Sequence, residues 1–230
     1  PDLKEPLRKV WTFGSLLLEE FGTNLPDRGK SYLEKMHDAT ERMTNMVDGI
    51  LHYSTINAVQ EAPVQVNLNK LVDGIINDLE VVIQQKQATV THSDLPNIWG
   101  TPVLLHQLFF NLINNSLKFS KPGVPPVIII TGTLEKQAQP PQGKQPIAGL
   151  QRPCYRITLQ DNGIGFDPEH SAKMFEIFSR LNARNKYEGT GLGLALCKKI
   201  VHRHHGEIYA EGKENIGASF HLFFPVDGGI

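Results

Sequence analysis

Apolar side chains at Leu3, Leu7, Val10, Leu17 and Phe21 recur in steps of three, four and seven, and Phe13 and Leu16 widen the stripe. That spacing predicts an amphipathic helix. Gly22-Thr23-Asn24-Leu25-Pro26 interrupts it. Beyond the break, Tyr32, Met36, Ala39, Met43, Met46, Ile50 and Tyr53 alternate steps of four and three, a second helix with one unbroken seam. Two helices across a short turn make an antiparallel hairpin. A lone hairpin cannot bury both seams, so two copies are expected to pair as a four-helix bundle, which makes a homodimer.

The pattern changes near Val59-Gln60-Glu61-Ala62-Pro63, which divides the chain into domains at 1–60 and 61–230. Residues 64–67 read as a short strand, 68–87 as an amphipathic helix through Leu71, Ile75, Leu79 and Val82, and 88–92 as a second strand. Thr101 and Pro102 form a helix start, threonine as N-cap and proline at the first position, and that helix reaches Phe119. Residues 127–130 are all apolar and predict a buried strand; 137–153, rich in Gln, Pro and Gly, predict a surface hairpin loop. Residues 155–160 alternate as a strand that delivers Asp161 at its end. Residues 174–178 read as a short apolar helix, 181–188 as a polar segment, and 208–210 with 219–224 as the strands that close a sheet.

At 230 residues, 40% hydrophobic and 20% charged, the chain can bury one large core or two modest ones. A formal net charge of −1 gives no global attraction to nucleic acid, and none is expected as a partner. Cys154 and Cys197 lie in apolar-rich segments without metal-like spacing, which points to a reducing, cytoplasmic setting. No signal-peptide pattern opens the chain, and no apolar run approaches the ~20 residues a membrane helix needs. Any membrane anchor of a parent protein is expected outside this segment.

Three stretches carry chemistry. Gly189, Gly191 and Gly193 alternate with Thr190, Leu192 and Leu194 and run into a helix through Leu196, Ile200 and Val201. Glycines feeding a helix N-terminus present free N–H groups and a positive dipole end, which suits polyphosphate. Asn111, Asn115 and Lys118 fall on one face of the 101–119 helix, whose other positions are largely apolar. Amides beside a core are costly to bury unless used; a carbonyl oxygen suits a hard cation and an ammonium neutralises phosphate. Asp161 ends a strand and precedes Gly163 and Gly165, so its carboxylate can accept from an exocyclic amine while the glycines let a flat base approach.

Residues 111–118, 161–165, the Phe175 and Phe178 pair and residues 189–194 resemble, in order and spacing, the N, G1, F and G2 boxes of sensor histidine kinases. Ser219 after Gly217 resembles the last box, and Asp2-Leu3-Lys4-Glu5-Pro6-Leu7-Arg8 the segment after the phosphoacceptor histidine. The resemblance spans nearly the whole chain and implies an α+β protein: a dimeric helical hairpin followed by an α/β two-layer sandwich of the GHKL ATPase type. It implies ATP and Mg²⁺ as cofactors, with Asn115 on the metal, Asn111 and Lys118 near the phosphates, Asp161 on the adenine amine and Phe119 lining the base pocket. Gly163, Gly165, Thr190, Leu192, Leu194 and Ser219 belong to the same implied binding set, and 181–188 to a nucleotide lid. Asn111 and Asp2, the acid beside the phosphoacceptor, are the catalytic candidates.

The implied reaction moves the γ-phosphoryl group to a hairpin histidine and then to an aspartate of a response-regulator receiver domain. That histidine should stand at Pro1. The chain is therefore expected to be a fragment that does not label itself. The alternative is a nucleotide-binding dimeric scaffold without autokinase activity. His37, next to Asp38, reads as a surface helix position, and His202, His204 and His205 as the polar end of a helix.

Overall fold

A computed structural model describes residues 4–56, 61–136, 153–179 and 190–228. It divides into two compact units, Pro1–Thr55 and Ile56–Ile230. The predicted change at Val59 to Pro63 falls partly outside the described residues.

In the first unit α1, Lys4–Phe21, and α2, Asp27–Thr55, form the hairpin. The row that joins them is not the apolar seam. Gly14 is the buried residue of α1 and faces His37; a Cβ there would come 2.6 Å from His37 Nε2. The His37 ring stacks on Trp11 at 5.4 Å, and its Nε2 lies 3.1 Å from the Trp11 carbonyl oxygen. His37 is thus a half-buried contact of the hairpin and not a surface position, because only glycine opposite leaves room for its ring. Leu33 and Thr40 continue this inner row in burial. Tyr32, Met36, Met43 and Ile50 of the predicted seam stay 45–51% exposed, as do Phe13, Leu17 and Phe21 of α1 at 47–63%.

The second unit is built on a five-stranded sheet of order β2-β4-β5-β7-β6, with β2 parallel to β4 and the other neighbours antiparallel. Its strands are β2 Thr89–His92, β4 Val127–Glu135, β5 Cys154–Asp161, β6 Glu207–Lys213 and β7 Gly217–Pro225. A separate antiparallel ladder joins β1 Val64–Asn67 to β3 Asn97–Gly100. The long helices α5, Pro102–Lys118, and α6, Gly193–Arg203, pack on each other and cover one face of the sheet, where Ile128, Ile130, Ile157, Leu159, Leu222 and Phe224 are all at most 1% exposed.

Four local expectations are corrected. The 68–87 helix breaks at Leu79 (φ −98°, ψ 7°) into α3 Leu68–Asp78 and α4 Glu80–Gln85, just before the β-branched run Val81, Val82 and Ile83 that crowds a helix. The strand at 127–130 is longer and buried on one face only: Val127 and Ile129 are 37% and 43% exposed because the helices cover the other side. Residues 174–178 give no α-helix but a 3-10 turn over Lys173–Phe175, and Phe178 turns away at φ +65°. β3 was not expected, being four residues with one buried apolar side chain, Ile98. The predicted loop at 137–153 lies, except for Pro153, outside the described residues.

Candidate nucleotide site

α5 is buried on most of its circumference, from Leu104 and Leu105 to Leu117, because it lies between the sheet and α6. The strip left half-buried carries Gln107, Asn111, Asn115 and Lys118. Asn111 Oδ1 accepts from Gln107 Nε2 at 3.2 Å. Its Nδ2 is buried without a partner of hydrogen-bond geometry, although the amide lies near enough to the Cys197 thiol to offset a little of the burial that pushes that thiol up to about 12. Asn115 sits where the second wall meets the first: a Cβ on Gly193 would be 3.9 Å from Asn115 Nδ2. Lys118 ends the helix with its ammonium 5.1 Å from the centre of the Phe119 ring. Thr101 stands at the N-cap position before Pro102, yet its hydroxyl caps nothing; its N–H donates to His204 Nε2 at 3.0 Å.

Asp161 is held at the end of β5 by three donors. Oδ1 accepts from the N–H groups of Gly163 at 2.9 Å and Ala218 at 3.1 Å, and Oδ2 accepts from Ser116 Oγ at 2.8 Å. A carboxylate has about four acceptor positions, so one on Oδ2 remains. Burial pushes this carboxyl above its ordinary range, while the three hydrogen bonds and Lys121 pull it back. Gly163 fits between walls: a Cβ would stand 2.6 Å from the Phe119 carbonyl oxygen, which also accepts from the Ile164 N–H at 2.9 Å. The end of α5 and the loop after β5 are thereby joined. Gly165 (φ +64°) presses against the Lys213 carbonyl, so its small size serves backbone contact and not an approaching base.

The glycine loop enters the described residues at Thr190 and leads into α6. Thr190 Oγ1 accepts from the Leu192 N–H at 3.4 Å. Gly191 has φ +74° and accepts through its carbonyl from the Phe178 N–H at 3.1 Å, which fastens the loop to the turn after Phe175. Leu192 is buried and Leu194 half-buried, so these two anchor the helix start while Gly193 faces Asn115. The first turn of α6 offers N–H groups with no carbonyl a turn earlier.

Ser219 faces away from α5 and α6. In β7 it pairs with Gln160 and Glu211, and strand alternation turns it to the face opposite Ala218 and the helices. It lines a groove of about 410 Å³ with Val127, Ile129 and Gln160, and Asp161 also borders that groove. Ser116 and the Ala218 N–H, by contrast, were not foreseen. A serine one turn from Leu112 on the buried side of α5 was the available signal for the first; a backbone donor leaves none. Asp2, Gly189 and the 181–188 segment with Arg180 lie outside the described residues.

Among the described residues no group of three or more His, Cys, Asp or Glu could hold a metal, so a cation here would rely on an amide oxygen and on ligand oxygens. No helix among them is long and apolar enough to cross a membrane. Cys154 and Cys197 are free, buried thiols, pushed by burial up to about 11 and about 12.

Comparison with known proteins places this architecture. Cyanobacterial phytochrome A of Nostoc sp. is 32% identical over 227 residues, 99% of this chain and 28% of that protein. The chain spans under a third of the length of the first curated relatives it matches. Two solved structures share the fold: full-length ShkA in complex with AMPPNP (TM-score 0.64, 22% identity, 97% of this chain and 44% of that one) and histidine kinase ThkA in complex with the response regulator TrrA (TM-score 0.63, 21% identity, 97% and 59%). The profile described as histidine kinase-, DNA gyrase B-, and HSP90-like ATPase matches residues 100–228, which is more than half of the chain and spans α5, Asp161 and α6. The chain belongs to that family.

Proposed function

We propose that this chain binds Mg²⁺-ATP between α5, Asp161 and the start of α6, and that it serves transfer of the γ-phosphoryl group to a histidine on a helical hairpin and onward to a response-regulator aspartate. The observation that carries the reading is the Asp161 carboxylate, fixed by three donors with one acceptor position left over on Oδ2. That position accepts the adenine amine. Gly163 keeps the end of α5 against it.

The residues present suit the two cofactors. Asn115 offers an amide oxygen to Mg²⁺ at the junction with Gly193, and the buried, unpartnered Nδ2 of Asn111 lies a turn away on the same strip. Lys118 and the N–H groups of Gly193 and Leu194 supply positive charge for phosphate. Bound ATP supplies the phosphoryl group, and Mg²⁺ spreads the charge of its oxygens. What the protein contributes is position and electrostatics, with Thr190, Gly191 and Leu192 shaping the wall that α6 presents. Asp2 is assigned to orienting the acceptor imidazole or taking its proton.

The exposed row Tyr32, Met36, Met43 and Ile50 supports a homodimer through the hairpin, since nothing in its own unit covers it. The complex of ThkA with a response regulator supports a receiver domain as partner. Pro1, at the position the resemblance gives to the phosphoacceptor, favours a second reading: a nucleotide-binding dimeric scaffold that does not label itself. Calorimetric titration with AMPPNP and Mg²⁺ tests the shared core of both, with Asp161→Asn as the control. Labelling from γ-labelled ATP, with and without histidine at position 1, separates them. Equal affinity of wild type and Asp161→Asn would remove the adenine assignment.

A further inference from the structure

We propose that His204 is a positioning residue for the nucleotide site: a buried strut that sets the spacing of α5 and α6 and makes nucleotide affinity fall on acidification. The proposal rests on the nucleotide-binding reading above. α5 and α6 meet in antiparallel register at three levels. Thr101 meets His204, the Leu108 carbonyl meets the Cys197 thiol at 3.8 Å, and Asn115 meets Gly193. The last level is the candidate site, and the first is its opposite end.

The partners of His204 fix its protonation. Ile200 O, 2.7 Å from Nδ1, can only accept, so Nδ1 carries the proton. The Thr101 N–H, 3.0 Å from Nε2, can only donate, so Nε2 carries the lone pair. The ring is 7% exposed and lies edge-on to Phe224 at 6.3 Å. A Cβ on Gly100 would come 2.6 Å from His204 Cδ2, so β3 and the start of α5 close directly over the imidazole. The Thr101 hydroxyl makes no cap bond, and the free N–H of Thr101 itself is satisfied by a side chain 103 residues away.

Protonation would set N–H against N–H at Thr101. The charges that bear on the ring, Arg203 and His205, are on its own helix end and both oppose a second cation. The groups facing it from β3, α5 and β7, namely Gly100, Thr101, Leu105 and Phe224, carry no charge. Burial is the main influence that keeps the imidazole neutral, and the Arg203 and His205 charges add to it. The Ile200 carbonyl favours a proton on the ring but is already bonded to Nδ1–H, and no group at Nε2 accepts a second one, so acid separates the start of α5 from the end of α6. Both helices are rigid and touch midway at Cys197, and a shift at one end alters the Asn115–Gly193 spacing at the other.

The test uses the 230-residue chain, with AMPPNP and Mg²⁺ titrated calorimetrically at pH 7.5 and pH 5.0 into wild type, His204→Gln and His204→Phe. Circular dichroism at each pH establishes that each protein is folded. The glutamine amide can accept from the Thr101 N–H but does not titrate. Wild type should lose about three- to tenfold more affinity than His204→Gln between the two pH values, the size expected for one hydrogen bond. Protonation of the ligand is common to both and cancels in that ratio. His204→Phe, which fills the space without either bond, should bind more weakly at pH 7.5; if it fails to fold, the wild type and glutamine comparison decides. Identical pH dependence of wild type and His204→Gln overturns the proposal, as does full affinity of a folded His204→Phe. Absence of nucleotide binding by wild type at pH 7.5 overturns the underlying reading as well.

Discussion

Replacing Asp161 by asparagine changes one atom and separates binding from folding. The three donors around the carboxylate are unequal. The Gly163 and Ala218 N–H groups at 2.9 and 3.1 Å both point to Oδ1, which an asparagine oxygen can replace. Ser116 Oγ donates to Oδ2 at 2.8 Å, and a hydroxyl can rotate to accept from an amide instead. Asparagine also removes the charge that is costly to bury at this position. Stability should therefore change by under about 1 kcal/mol. Adenine fares differently: the fourth acceptor position becomes an N–H facing an amine N–H. Losing that bond, with a donor left unsatisfied, costs about 1–3 kcal/mol, which is about five- to 150-fold in affinity. Calorimetry with AMPPNP and Mg²⁺, beside a urea melt of the same protein, reads both numbers. Wild-type affinity, or a stability loss large enough to explain weaker binding, would refute the reasoning. Asp161→Ala is the contrast, because it orphans all three donors and should lower stability by about 2 kcal/mol or more.

The other expectations concern assembly, the loop and pH. Met43→Glu with Ile50→Glu puts charges on the exposed row of α2, and sedimentation should find monomers where wild type forms dimers at micromolar concentration; a wild-type monomer would end that idea. Gly191→Ala forces a side chain to φ +74°, 2.9 Å from the Phe178 and Ser179 backbone, and should lower stability by about 1–3 kcal/mol and weaken nucleotide binding, read by urea melts and calorimetry. Burial lowers the pKa of His204 and His221 below the ordinary 6.5, so the unfolded chain binds more protons below that pH. Their contribution is intact above pH 6.5 and declines as pH falls through the window beneath it, so the urea midpoint should drop between pH 7 and pH 5. The Asp73 hydrogen bond raises His92 and acts in the opposite sense, but the Asp73 side chain is 62% exposed and solvent screens the pair.

Sequence made the nucleotide-site residues visible because each has a chemical signature at short range. Gly191 and Gly193 before an apolar helix, asparagines four apart and an aspartate before glycines are all legible within a few residues. What stayed hidden depends on contacts between distant parts of the chain. The Ala218 N–H that holds Asp161 is a backbone group 57 residues away, and the His204 bond to Thr101 spans 103. Periodicity marks an apolar row without saying what covers it, so the seam of α2 was read correctly as a row while the inner row of Gly14, His37 and Thr40 went unseen. The side on which Ser219 stands was equally illegible, because one step along a strand reverses the face.

That inner row has a thermodynamic consequence. Gly14 and Ser15 meet His37 across the hairpin, Leu33 is the one large apolar side chain buried in this row among the described residues of α1 and α2, and Thr40 and Thr44 bond to carbonyls of their own helix at 2.8 and 3.0 Å. Such a contact removes little apolar area from water, while the larger side chains of both helices remain outside it. A hairpin of this make has small intrinsic stability and draws the rest from whatever meets its outer row. For the proposed homodimer, folding of the first unit and association would be a single equilibrium, with helix content rising with concentration.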